Sequence, residues 1–246
     1  MEQPGTDHPL KSYYADIHPT YDRVNRVFTF GGDARWRRKA ASVCLSTGPS
    51  SVLDLCAGTG DFALELARQA GYPVTVTGFD FSSEMLGIAR RKAEGSVRGP
   101  ATVHFVEGDA SRMPFSDGQF DAVGITFGIR NLIYENSRAG RHLEEINRVL
   151  RPGGRLVILE SSRPGNPLWR IINSFYLRFI LPRVGGLISG HPEAYRYLAR
   201  SSRNYYTIGG MGDILEGAGF RMLQGKPLFM GSVMLLEASK IGSYDG

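Results

Sequence analysis

From Ser51 to Glu160 the chain alternates short apolar runs with amphipathic stretches, and that alternation restricts the fold more than any other feature. Ser51–Cys56, Val74–Phe79, Thr102–Glu107, Phe120–Thr126 and Arg155–Glu160 read as strands. Asp61–Ala70, Ser82–Glu94 and Asn136–Leu150 read as helices; the second is opened by a Ser-Ser cap and the third is stopped at Arg151-Pro152-Gly153-Gly154. Strands spaced by helices pair in parallel, with right-handed crossovers and helices on both faces. Two late segments, Phe220–Gly225 and Gly231–Ser239, are close enough in sequence to be antiparallel neighbours at the sheet edge. The expectation is an α/β, doubly wound, mostly parallel seven-stranded sheet.

The remainder is helical or irregular. Residues 1–12 read as a loose tail and residues 13–47 as helices, with Trp36, Ala40 and Val43 at helical spacing. A helical insertion over 163–208 precedes a short helix at Gly212–Ala218. A chain of 246 residues with 42% hydrophobic content suits one domain spanning the whole length.

The strongest motif is Asp54-Leu55-Cys56-Ala57-Gly58-Thr59-Gly60-Asp61, between the first strand and the first helix. Glycines there let the backbone turn tightly and approach a ligand, and the following helix N-terminus offers N–H groups to a carboxylate. The dinucleotide fingerprint needs a third glycine where this chain has Ala63, so a pyrophosphate fits less well. Asp80 ends the second strand, where an acid accepts hydrogen bonds from ribose hydroxyls. Gly108-Asp109-Ala110 follows the third strand, where an Asp can accept from an adenine amino group. Each acid taken alone is an ordinary turn or cap residue. Three in order, at the ends of three successive strands, can surround one nucleoside.

Charge is local. Residues 163–203 hold seven arginines and one acid, Glu193, so that segment is +6 within a chain of net +5, and the rest is −1. This excess suits lipid or nucleic-acid phosphates, or a solvated face. Cys44 and Cys56 form no C-x-x-C and no Cys/His cluster surrounds them, which points to a reducing compartment and no structural metal. The opening segment has no basic stretch leading into an apolar run, and no stretch of eighteen apolar residues occurs, so neither a secretory signal nor a membrane span is expected.

The order DLCAGTGD, GFDFSSEML, GDASRMPFSDGQFDAV and RVLRPGGRLVILE resembles the class I S-adenosylmethionine-dependent methyltransferases, whose sheet is Rossmann-like. Three narrower pieces are Tyr21-Asp22-Arg23-Val24-Asn25 with Trp36-Arg37 downstream, Phe127-Gly128-Ile129-Arg130-Asn131, and Leu181-Pro182-Arg183 with Tyr195-Arg196-Tyr197-Leu198. With these the chain is similar, from Tyr13 to Lys240, to the ubiquinone/menaquinone biosynthesis C-methyltransferases, which methylate a ring carbon of a prenylated quinol. The resemblance implies S-adenosyl-L-methionine as cofactor, held through Asp54, Gly58, Thr59, Asp80, Asp109, Ala110 and Thr126. The family usually has Gly where Ala57 stands, Ser at Thr126, His at Asp33, and an acid near His191 or Glu193.

The same resemblance makes Arg130, Asn131 and Tyr21 the candidate catalytic residues. A phenolic hydroxyl titrates near pKa 10, so a cation beside it favours the phenolate. Arg130, placed after the fourth strand, takes that electrostatic role, with Asn131 orienting a quinol oxygen; the alternative for Arg130 is a salt bridge beneath the loop. Tyr21 either sits over the sulfonium, bonds the quinol, or is a core aromatic. Asp22, His191 or water is the proton acceptor. In Leu168–Leu181, Arg170, Ser174 and Arg178 form a polar stripe while Trp169, Ile172, Phe175, Tyr176, Phe179 and Ile180 cover the rest. Such a helix caps a prenyl tunnel and lies on an anionic bilayer, or else packs on its own or a partner's core. The expected location is cytoplasmic, with peripheral contact at the inner face of the cell membrane; oligomeric state, tail length and the choice between naphthoquinol and benzoquinol stay open. Alternative functions are methylation of another small apolar acceptor, such as a sterol or polyketide, and, from a different class, nucleic-acid binding. No aromatic-interleaved basic strand or helix-turn-helix pattern supports the last, and no nucleic-acid partner is expected.

Overall fold

The computed structural model describes residues 26, 29, 31–190 and 192–242. Tyr21, Asp22 and His191 lie outside the described residues. Helix α1 (Gly32–Leu45) leads into β1 (Ser51–Leu55), α2 (Asp61–Gln69), β2 (Thr75–Asp80), α3 (Ser83–Ser96), β3 (Thr102–Glu107) and β4 (Phe120–Thr126). The chain continues through α4 (Ile129–Ile133), α5 (Ala139–Val149) and β5 (Leu150–Ser161). Then follow α6 (Pro167–Phe175), a π turn (Tyr176–Ile180), α7 (Leu181–Ser189), α8 (Pro192–Arg203), α9 (Ile208–Gly217), β6 (Phe220–Leu228) and β7 (Val233–Lys240).

The seven strands form one sheet in the order β3-β2-β1-β4-β5-β7-β6. The first five pair in parallel, and β7 runs antiparallel between β5 and β6. The expected architecture is therefore present, with the antiparallel pair at the edge. Strand order reverses between β1 and β4, both of which leave the sheet at their carboxyl ends beside each other. Open α/β sheets bind ligands at such a switch point.

Burial on both faces explains why the strands read as continuous apolar runs. On one face Trp36, Ala40, Ala41 and Cys44 of α1 meet Phe62, Ala63, Leu66 and Ala67 of α2. On the other, Leu143, Ile146 and Val149 of α5 and Met211 and Leu215 of α9 pack on Leu53, Val123, Ile125 and Ile158.

Three local readings change. The Phe127–Asn131 piece is not only loop: α4 makes a single short turn there, too brief to show a period. β5 starts at Leu150, because Leu150 pairs with Phe120 ahead of a bulge, after which Arg155 pairs with Ala122. The helical stretch after Asn166 is broken into pieces. Pro182 has no N–H for the carbonyl of Arg178, so the helix loosens into a π turn there, and the Phe179 carbonyl accepts from the Arg183 guanidinium at 2.8 Å. Gly190, at φ 78°, ends α7, and Pro192 starts α8.

Candidate functional site

The loops leaving β1, β2, β3 and β4 lie side by side because those four strands are neighbours in the sheet. Gly60 caps α2 at φ 81°, and a Cβ there would come within 2.8 Å of the Ala89 Cβ, so only glycine lets the loop turn against α3. Gly128, after β4, approaches Cys56, after β1, so closely that a Cβ would meet the Cys56 Cβ at 2.4 Å. Cys56 and Phe127 both hold left-handed backbone, at φ 61° and 57°. Two strained non-glycine residues at adjacent strand ends are a common mark of a ligand site.

The acids follow from this geometry. The Gly58 N–H donates to Asp80 Oδ2 at 2.8 Å, and the Ser82 N–H donates to Oδ1 at 3.0 Å. Burial pushes the Asp80 carboxyl above its ordinary range, against the pull of those N–H groups. Asp54 is fully buried; its Oδ2 accepts from the Ala63 N–H at 2.9 Å, and its Oδ1 has no partner among the described residues. Burial raises its carboxyl to about 8. Two desolvated carboxyls beside an open glycine loop suit a ligand that brings hydroxyl and ammonium donors. Among the described residues no side chain lies within 4 Å of where a Gly58 Cβ would stand, so the loop leaves room there. The chemistry of these donors and acceptors fits S-adenosylmethionine, whose ribose hydroxyls and amino group are what such carboxyls accept from.

The other expected contacts are placed around the same edge. Thr59 is buried, and its hydroxyl accepts from Lys92 at 3.0 Å, while Lys92 also pairs with Asp61 at 2.7 Å. Sequence spacing did not reveal Lys92, which reaches back from α3. Ala110 and Thr126 are half-buried at the ends of β3 and β4. Asp109 is exposed and paired with Arg138 at 2.9 Å, and its Oδ1 accepts from the Ser111 N–H at 2.8 Å. Although burial pulls upward, the Ser111 and Arg138 bonds hold the Asp109 carboxyl below its ordinary range.

A second region adjoins β4 and β5. A cavity of about 140 Å³ is lined by Trp36, Phe127 and Phe229, by Tyr176, Leu177 and Leu198 of the insertion, and by Arg130, Asp33 and Arg37. Arg130 is buried, and its Nε lies 3.6 Å from Oε1 of Glu160, a side chain wholly withdrawn from solvent. Its backbone N–H donates to Glu160 Oε2 at 3.3 Å, and its guanidinium bonds the Ser201 hydroxyl on α8. Arg130 thus makes a buried ion pair and also faces the cavity. Asn131, one residue on, does not line this cavity; its carbonyl accepts from the Asn136 amide at 3.0 Å. Glu160 and Ser201 were not singled out from sequence. Ser201 lies 71 residues from Arg130, and no local pattern marks such a pairing.

The insertion is apolar on the outside. Leu168, Ile171, Ile172, Phe175, Phe179 and Ile180 are all exposed, while Trp169 turns inward and donates its Nε1–H to the Ser232 hydroxyl at 2.8 Å. Arg178 and Arg183 lie over the Phe179 ring, 5.2 and 5.8 Å from its centroid. Among the described residues no helix is long and apolar enough to cross a membrane.

Comparison with known proteins agrees with this fold. The fold is shared with the [4+2]-cyclase SpnF (TM-score 0.68, 19% identity, covering 98% of each chain) and with a putative methyltransferase from Bacillus halodurans (TM-score 0.58, 20% identity, covering 83% of this chain and 98% of the other). A demethylmenaquinone methyltransferase from Thermus thermophilus is 45% identical over 208 residues, covering 84% of this chain and 90% of the relative. A ubiquinone/menaquinone biosynthesis C-methyltransferase from Geobacter sulfurreducens is 41% identical over 213 residues, covering 86% and 80%. Residues 3–240 match the model of the ubiE/COQ5 methyltransferase family, and the chain belongs to that family as an S-adenosylmethionine-dependent methyltransferase.

Proposed function

We propose that this methyltransferase methylates a ring carbon of a prenylated quinol. The observation that carries the reading is the cavity beside β4. It offers aromatic walls for a flat ring, a buried guanidinium from Arg130, and a roof of helices whose outer face is apolar. The names of the Thermus and Geobacter relatives support the same acceptor class, and the former favours the naphthoquinol. A sterol would fill the apolar space but would leave Arg130 facing no acidic oxygen.

S-adenosylmethionine supplies an activated sulfonium methyl. Asp80 would hold its ribose, Asp109 and Ala110 its adenine side, and Asp54, Gly58, Thr59 and Thr126 the remainder of the edge. The protein must also make the acceptor carbon electron-rich, which follows from ionising the neighbouring hydroxyl. Arg130 keeps its charge at every working pH and cannot take the proton, so its part is to stabilise the phenolate. Asn131, on the same turn though not on the cavity lining, and Tyr21 complete, by the family resemblance, the set we assign to the acceptor. The apolar outer face of α6 and the π turn, flanked by Arg178 and Arg183, would rest on an anionic bilayer at the inner face of the cell membrane and receive the prenyl tail.

The test is transfer of labelled methyl to demethylmenaquinol and to its benzoquinol counterpart, side by side. Carbon-linked label in the naphthoquinol is expected. Label in neither acceptor would sink the reading.

A further inference from the structure

The cavity holds a second buried ion pair that the reaction as described does not use. Asp33, in the first turn of α1, is buried and borders the cavity. Its Oδ2 accepts from Arg37 Nη1 at 2.8 Å and its Oδ1 from the Thr29 hydroxyl at 3.0 Å. Arg37 in turn lies over the Phe127 ring, 5.5 Å from the centroid, so the pair is fixed against the aromatic wall. A carboxylate has about four acceptor positions and no donor. Two are taken by Arg37 and Thr29, and the cavity beyond has aromatic and aliphatic walls at Trp36, Phe127, Leu198 and Phe229, with Arg130 and several hydroxyl side chains also on its lining.

A carboxylate bordering the cavity favours one kind of polar group beside it: a hydroxyl that donates to it. The oxidised and reduced forms of a 1,4-quinone ring have nearly the same shape but opposite hydrogen-bonding character. The dihydroxy ring donates from both oxygens. The dicarbonyl ring only accepts, and an oxygen of it placed against Asp33 would set lone pairs against lone pairs. Sites built around a substrate hydroxyl reject the analogue lacking it far more strongly than apolar pockets reject a methylene. Resting on the quinol reading above, we propose that Asp33, held by Arg37 and Thr29, is a specificity residue that admits the two-electron-reduced acceptor and excludes the oxidised one. The enzyme would then avoid occupation by quinone, which carries no ionisable hydroxyl and is not a substrate.

The experiment compares binding of a short-chain naphthoquinone in its oxidised form with its dithionite-reduced form, anaerobically, on the full-length protein. Quenching of tryptophan fluorescence is the readout, since Trp36 lines the cavity. The wild type is expected to bind the reduced form at least about tenfold more tightly. Asp33→Asn, whose amide offers an N–H to a carbonyl, should bring the two affinities within about threefold of each other. Asp33→His, which also presents an N–H, should do the same and serves if the asparagine variant does not fold. Arg37→Lys keeps the carboxylate paired and should keep the wild-type ratio even if stability falls, so a purely structural role for Asp33 would not mimic the result. Equal affinities in the wild type, or an unchanged ratio in both Asp33 variants, would overturn the proposal. Binding of neither form by the wild type would overturn the quinol reading itself, and this inference with it; methylation of the quinol with no redox preference would overturn this inference alone.

Discussion

The edge formed by β1 to β4 and the helical insertion of residues 167–203 are built on different principles. At the edge, carboxyls and backbone N–H groups meet at neighbouring strand ends: Asp54 with Ala63, Asp80 with Gly58 and Ser82. Their geometry is set by strand register and tight turns, so it can hold a polar molecule in one pose. The insertion reaches the rest of the protein through side chains from distant parts of the chain, Arg130 with Ser201 and Trp169 with Ser232, and leaves an apolar surface outside. On the function proposed above, the methyl donor would be read by fixed backbone and the apolar acceptor by packing and by a few buried charges. The contrast predicts that damage to one region should leave the other's ligand nearly untouched.

The largest effect should come from Arg130. Arg130→Ala is expected to lower single-turnover methyl transfer by on the order of 100- to 1,000-fold, the scale of removing one preorganised electrostatic partner. S-adenosylmethionine affinity, measured by calorimetry, should stay near wild type. The pH optimum should move upward, because the unassisted hydroxyl ionises only at higher pH. Arg130→Lys should fall between the two, keeping charge but losing the planar fork. The alanine variant also strands Glu160 in the core, so thermal unfolding must accompany the kinetics. Wild-type rates in a folded alanine variant would reduce Arg130 to a structural salt bridge.

Asp80→Ala tests the opposite region. It should weaken cofactor binding by about 2–3 kcal/mol while leaving the acceptor KM alone. Coupled loss of both would erase the distinction between the two regions.

Asp54 sharpens the comparison through pH. Its carboxyl ionises at 3.8 in the unfolded reference and at about 8 in the fold. Between those values the folded protein keeps a proton that the unfolded chain has released, so stability should fall as pH rises, by about 1.4 kcal/mol per pH unit. Asp54→Asn should flatten that slope, and so should bound cofactor, which brings positive charge. A slope unchanged by the substitution, read from denaturant unfolding across this window, would show that other groups carry it.

The smallest effect should be at the membrane. Ile171→Ser should weaken vesicle binding by roughly 1 kcal/mol without changing cofactor affinity. Wild-type binding should favour anionic over neutral vesicles and weaken with salt. Equal partitioning to both vesicle types would remove the charge component of this face.

The same contrast governs what could be read in advance. The placement of Asp54, Gly58, Thr59 and Asp80 at adjoining strand ends was legible because a glycine loop between strand and helix, and an acid at the next strand end, are local patterns with local causes. Asp109 was legible as a position but not in its partner, since Arg138 comes from 29 residues away. The insertion was legible as helix but not in its breaks, because a π turn set off by Pro182 leaves no periodic mark.

The strand-helix alternation by itself determined the parallel sheet, the antiparallel edge and the glycine loop after β1, because side-chain period and turn chemistry act between near neighbours. Only the tertiary structure decided that Arg130 pairs with Glu160 while facing a cavity, that α8 closes over it through Ser201, and that Asp33 and Arg37 border the same space. Buried ion pairs form where desolvated charges meet across the fold, and which charges meet depends on how the sheet stacks its helices rather than on any spacing along the chain.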